Sequence, residues 1–172
     1  MKRKLVHAYM DVAHRFAELS TARRLHVGAI VVKDDRIISI GYNGMPAGWD
    51  NNCENKEFMS GDAGGWLDSD EIEERWPFEE RPDEDDSYIG RYRLVTKPEV
   101  LHAESNAISK LARSNESGDG ASIFITHAPC MDCAKLIYQS GIKEVYFKNA
   151  YRSTSGIDFL KRCELKIEQV ED

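Results

Sequence analysis

From Lys4 to Ser20, apolar side chains fall at Leu5, Ala8, Tyr9, Val12, Ala13, Phe16 and Leu19, a three-and-four spacing that predicts an amphipathic opening helix. The period then changes. Val27 to Lys33 and Arg36 to Tyr42 are rich in branched apolar residues and flank Asp34-Asp35, which predicts two strands joined in a tight hairpin. Gly41-Tyr42-Asn43-Gly44-Met45-Pro46-Ala47-Gly48 follows, and it reads equally as a plain turn or as a loop where backbone approaches a ligand closely. Asn43 in that loop offers both a donor and an acceptor.

Between Asp50 and Glu99 the apolar periodicity fades: sixteen Asp or Glu stand against six Lys or Arg, with few branched apolar residues. The expectation is an insertion of short helices and solvated loops, with one helix over Asp68 to Trp76 and a solvated turn at Asp83 to Asp86. An exposed face is the simplest account of so many charges; a Mg2+ site or a regulatory surface is the alternative. Periodicity returns with a helix from Glu104 to Arg113, a short β-rich run from Ala121 to Thr126, and a helix from Cys130 to Gln139. A buried strand over Glu144 to Phe147, a helix over Ser155 to Arg162 and an edge strand over Glu164 to Val170 complete the chain. Helix, strand, helix in that order fits a parallel sheet with its site at the carboxyl edge of the strands. The 172 residues read as one domain carrying an insertion at about 50–99.

A formal charge of -7 and a pI near 5.3 argue against a nucleic-acid duplex or long single strand as partner, because those call for a basic surface. A free nucleotide needs only a few local cations. Met1-Lys2-Arg3-Lys4 is basic, but no apolar run of signal length follows, and no stretch is long enough to span a membrane. A reducing, cytoplasmic setting is expected, and the four cysteines do not form a disulfide framework.

The chemistry concentrates in two fragments, His102-Ala103-Glu104 and Pro129-Cys130-Met131-Asp132-Cys133. His102, Cys130 and Cys133 make three ligands, and a catalytic zinc keeps three protein ligands with its fourth position open, whereas a structural zinc is closed by four. Glu104, two residues past the histidine, is placed to carry protons and not to share the metal. A histidine and glutamate at this spacing, followed by the proline and paired cysteines, form the signature of zinc nucleobase deaminases. His102 and Glu104 fall at one expected helix start and Cys130 and Cys133 at another, where the dipole favours thiolate over thiol. The rival readings of Cys130 and Cys133 are a redox pair or half of a four-ligand structural zinc. Cys53 and Cys163 are isolated and read as small buried or surface residues. His7, His14 and His26 lack partners at ligand spacing, while His127 either lines a pocket or caps a strand end.

The sequence resembles the deoxycytidylate deaminases of the cytidine deaminase superfamily, and particularly their short phage-type members. The matching pieces are Val27 to Val31, Gly41 to Pro46, His102 to Ile108, Pro129 to Ile137 and Gln139 to Val145, with the acidic block where the family carries a variable insertion. The zinc motif alone also fits cytidine, guanine, riboflavin-pathway and transfer-RNA deaminases; the Gly41 to Pro46 loop is what points to dCMP. The resemblance implies a three-layer α/β/α fold with a central mixed five-stranded sheet, one catalytic Zn2+ and a homohexamer. It also implies activation by dCTP and inhibition by dTTP at a second nucleotide site, with Gly44, Met45 and Pro46 in that site and Mg2+ accompanying the effector. Carried over by position, Asn43 contacts the deoxyribose, Tyr151 lies near the phosphate, Arg24 or Arg23 is the phosphate cation, and Ala103 adjoins the substrate. Some phage members add a second, structural zinc; here Ala22-Arg23-Arg24 stands in place of its paired cysteines and no histidine lies between Asp50 and Leu101, so one zinc is expected.

The expected reaction is hydrolytic deamination of dCMP to dUMP and ammonia, supplying dUMP for dTMP synthesis. Zinc held by two thiolates and an imidazole lowers the pKa of water toward neutrality. Glu104 then shuttles protons to N3 and to the leaving amino group. Three alternatives stand beside it: a deaminase of free cytidine or another small heterocycle, a deaminase acting on nucleic acid, and a catalytically silent nucleotide-binding regulator.

Overall fold

In a computed structural model, residues 1–60, 67–80 and 90–171 are described; the expected turn at Asp83 to Asp86 lies outside them. Helix α1 runs Arg3–Ala17, as expected, but its buried face is turned from the expected stripe: Val6, Met10, Ala13 and Ala17 are buried, Leu5, Tyr9, Val12 and Phe16 flank them half-buried, and Ala8 and Leu19 are exposed. Strands β1 (Gly28–Lys33) and β2 (Arg36–Tyr42) form the expected hairpin. Asp34 and Asp35 take positive φ, 51° and 56°, as the tight right-twisting two-residue turn requires.

The order continues with β3 (Glu54–Phe58), α2 (Ser69–Arg75), β4 (Phe78–Glu80), β5 (Gly90–Thr96), α3 (Ala103–Leu111), β6 (Ser122–His127), α4 (Met131–Gln139), β7 (Glu144–Asn149), α5 (Ser155–Arg162) and β8 (Lys166–Gln169). One sheet has the order β2-β1-β6-β7-β8; β1 is antiparallel to β2 and β6, whereas β6, β7 and β8 are parallel. It is a mixed five-stranded sheet covered on both faces. Ile30, Val32, Phe124 and Tyr146 turn toward α1. Their neighbours Ala29, Val31, Ile123, Ile125 and Val145 turn the other way, onto Ala107 and Leu111 of α3, Ala134 and Ile137 of α4 and Leu160 of α5. Strict alternation with both faces apolar is the mark of a sheet buried between helices.

The segment between β2 and α3 departs from expectation. In place of only short helices and solvated loops it holds a second antiparallel sheet, order β3-β5-β4. The charges themselves do the pairing. Glu57 stands opposite Arg93, Glu79 opposite Arg91, and Lys56 reaches Glu80, while Tyr92 lies between the rings of Phe58 and Phe78. Opposite charges and aromatic rings across strands stabilise a sheet without an apolar stripe. The expected helix is present as α2, begun by a reciprocal cap between Asp68 and Glu71.

Candidate active site

Two helix starts build the centre. His102 is the N-cap of α3 and Cys130 the N-cap of α4, and neither side chain caps its own helix. They face each other instead. Cys130 Sγ lies 3.6 Å and Cys133 Sγ 3.4 Å from His102 Nδ1, and the three ligand atoms all fall within 4.8 Å of one another. A tetrahedral zinc with sulfur at about 2.3 Å and nitrogen at about 2.0 Å sets its ligands about 3.5 Å apart, so this donor set fits that ion. Among the described residues it is the one cluster of three or more such donors close enough to share an ion.

The electrostatics lower one thiol of the cluster and raise its neighbours. A hydrogen bond from the Cys133 thiol, then one with His102, draws the Cys130 thiol down to about 4. The hydrogen bond with Cys130, then burial, pushes the Cys133 thiol upward. Its bond to Cys130 raises His102 despite the opposing effect of burial. Binding a metal here displaces the remaining protons. Glu104, in the first turn of α3, is 4% exposed, and burial raises its pKa above the usual carboxylate range.

These groups open into a cavity of about 450 Å³. Of the residues singled out in the sequence, Asn43, Ala103, Tyr151 and Arg24 line it together with His102, Glu104 and Cys130. Arg23 does not; its guanidinium is engaged by Glu54 and Asn52. Asn43 uses its amide structurally, accepting from Val27 N at 2.8 Å and donating to Leu25 O at 2.9 Å, which leaves one N–H and one lone pair for a ligand. His127 answers to both of its readings. It ends β6 and lines the cavity, its Nδ1 3.1 Å from Thr126 Oγ1; burial, then the charge of His14, lowers its pKa.

Gly44, Met45 and Pro46 lie around a different hollow of about 570 Å³, with Trp49, Leu101 and Lys110. Gly44 pairs with Leu101 through two backbone bonds, and Asn43 borders both hollows. Cys53 is buried beside Thr21. Sequence reasoning missed Arg152, Glu54 and Thr96, all of which line the first cavity. The Arg152 guanidinium lies 5.5 Å from the centre of the Tyr151 ring, and its adjacency to Tyr151 was a usable signal. Glu54 and Thr96 gave none, since both sit in the block that reads as exposed.

Residues 3–149 match the cytidine and deoxycytidylate deaminase zinc-binding region. The deoxycytidylate deaminase of Enterobacteria phage T4 is 34% identical over 166 residues, covering 89% of this chain and 82% of its own. ComE operon protein 2 of Bacillus subtilis is 31% identical over 164 residues, covering 95% and 69%. The crystal structure of dCMP deaminase from the cyanophage S-TIM5 in complex with dCMP and dUMP superposes with a TM-score of 0.74 at 37% identity, covering 99% of each chain. Fold and relatives together define a hydrolase of the deaminase class. The chain belongs to the cytidine and deoxycytidylate deaminase family.

Proposed function

We propose that this chain deaminates dCMP to dUMP and ammonia. The observation that carries the substrate is the presence of two guanidinium groups, Arg24 and Arg152, in the same cavity as Glu104 and the ligand set, neither ion-paired among the described residues. A planar guanidinium suits a phosphate monoester, and a nucleoside offers it no anion. Relatives named deoxycytidylate deaminase, and a structural neighbour that holds dCMP and dUMP, support the same reading.

His102, Cys130 and Cys133 would hold the zinc, which when bound supplies Lewis-acid activation of water at neutral pH. Glu104 accepts a proton from the attacking water and delivers it to N3 of the pyrimidine. It then carries the second proton to the amino nitrogen, so the bond from C4 to oxygen forms, the bond from C4 to nitrogen breaks and ammonia leaves. A carboxylate raised in pKa by burial suits both directions of transfer. Asn43 and Ala103 border the sugar and base, and Arg24 receives the phosphate with Tyr151 beside it. The product dUMP then feeds dTMP synthesis.

Regulation by dCTP and dTTP is assigned to the second hollow, where Gly44, Met45 and Pro46 supply close backbone, Trp49 an exposed ring and Lys110 and Arg113 cations. Mg2+ would enter on the effector's phosphates. A homohexamer suits the exposed Trp49, Leu101, Leu136 and Tyr138, and a reducing cytoplasm suits the ligand thiols. No helix among the described residues is long and apolar enough to cross a membrane.

Ammonia release from dCMP, deoxycytidine and dCTP, with dCMP repeated in the presence of dCTP or dTTP and Mg2+, tests this reading. Turnover preferring dCMP, raised by dCTP and suppressed by dTTP, is expected. Equal turnover of deoxycytidine would move the chain to the nucleoside deaminases, and no turnover by zinc-loaded protein would make it a silent regulator.

A further inference from the structure

One carboxylate outside the ligand cluster is withdrawn from water without a part in the chemistry: Glu54, the first residue of β3, is 1% exposed. A buried carboxylate is costly unless it is given donors. Glu54 has three. Its Oε1 accepts the backbone N–H of Arg23 at 3.0 Å and of Arg24 at 3.2 Å, while Oε2 lies 3.5 Å from Arg23 Nε. Two consecutive amides gathered on one oxygen fix the backbone between α1 and β1, and so fix where the Arg24 side chain leaves it. At its far end that side chain donates from Nη1 to the hydroxyl of Thr96, on β5, at 2.9 Å. Both anchors of Arg24 therefore come from the insertion.

The division of labour between the two arginines follows. Arg23 is held by Glu54 and Asn52 and offsets the buried charge; Arg24 has a neutral hydroxyl partner, forms no ion pair among the described residues, and keeps its cation for the cavity. We infer that Glu54 is a positioning residue for substrate recognition: with Thr96 it holds the Arg24 guanidinium where a 5'-phosphate monoester docks. This rests on the cavity's being a nucleoside monophosphate site. A guanidinium already fixed at both ends loses little freedom when it binds a planar pair of phosphate oxygens. The insertion, on this view, makes the chain distinguish a nucleotide from a nucleoside.

The test measures kcat and KM for dCMP and deoxycytidine with zinc-loaded full-length protein carrying Glu54→Ala, Glu54→Gln, Thr96→Val or Arg24→Ala. Where deoxycytidine turns over too slowly, inhibition constants of dUMP and deoxyuridine supply the same ratio. Glu54→Ala is expected to raise KM for dCMP about tenfold, with a smaller effect on kcat, and to lower kcat/KM for dCMP about fivefold more than for deoxycytidine. Glu54→Gln, which keeps one acceptor oxygen for the two amides, recovers part of the loss. In an Arg24→Ala background, Glu54→Ala adds less than about twofold, as coupled residues do. Equal loss on both substrates would make Glu54 a general structural residue and overturn the inference. Should Glu54→Ala fail to fold, Thr96→Val leaves the carboxylate in place and decides the matter: a selective loss on dCMP supports the inference, and an unchanged ratio overturns it. Parent protein indifferent to the phosphate would instead refute the monophosphate reading itself.

Discussion

Gly41 of β2 lies against Ala103 of α3 so closely that a Cβ on it would stand 2.1 Å from the Ala103 carbonyl oxygen and 2.6 Å from the Ala107 amide nitrogen. The absent side chain lets α3 sit flat on the hairpin, and α3 brings His102 and Glu104 with it. Gly41→Ala must therefore push the helix away. The expected cost is about 1–3 kcal/mol of stability, the usual range for overpacking a close contact, together with weaker zinc retention. Gly44→Ala is the matched control, since nothing lies within 4 Å of a Cβ there. Denaturant unfolding of both variants, with zinc content measured on each, checks the contrast.

The carboxylate and the sulfurs have separable roles. Glu104→Gln keeps the size of the side chain and leaves the three donors in place, so zinc stays while kcat falls by about 10²–10⁴. Near-normal turnover would remove Glu104 from the proton path. Cys130→Ser or Cys133→Ser takes away a soft ligand, and metal analysis should find less zinc than in the parent. Full occupancy in both variants would refute the ligand set.

Ligands on α3 and α4 link two helices that are far apart in sequence, so metal binding stabilises the native chain and little else. Stripping zinc with a chelator is expected to lower the melting temperature, and returning the ion to restore it in proportion to the logarithm of its free concentration. A melting temperature indifferent to zinc would contradict a site formed only on folding.

Away from the cavity, Glu144, Tyr146 and Lys166 meet across β7 and β8. Burial pushes the Glu144 carboxyl up, but hydrogen bonds from Tyr146, Ser122 and Lys166, with the Lys166 charge, outweigh it and hold the group below its ordinary value of 4.5. Tyr146, by its hydrogen bond, raises Lys166 above 10.5. A depressed carboxylate contributes stability that is complete above its unfolded pKa and disappears as pH falls through the folded one. A raised ammonium contributes below its unfolded pKa and loses this as pH rises through the folded one. The stability gap between parent and Glu144→Gln should therefore hold steady from about pH 6 to 9 and close on acidification below about pH 4. Unfolding midpoints across that range would show a flat difference if the trio carried no linkage.

The sequence announced the centre and hid its surroundings. Histidine, glutamate and two cysteines at fixed spacing are legible because metal and proton chemistry restrict which residue types serve, and the hairpin and α4 follow from apolar periods that survive in a buried sheet. The walls carry no such restriction. Glu54, Thr96 and the strands around them look solvated because β3 exposes four of its five residues and is held by cross-strand ion pairs, a contact that leaves no period along one strand. Arg23 and Arg24 are adjacent and identical in type, and their roles are separated by distant partners, Glu54 and Asn52 on the Arg23 guanidinium and Thr96 on that of Arg24.

Arg24, Glu54, Thr96, His102, Cys130 and Arg152 are drawn from nearly the full length of the chain into one hollow. Each must cross a long loop to arrive, and such closures are the slow events of folding. The hairpin and two helices alone would bring together only part of this lining. Turnover can begin only after the segments that carry these residues have docked, so the first ammonia released by a refolding sample times the closing of this hollow.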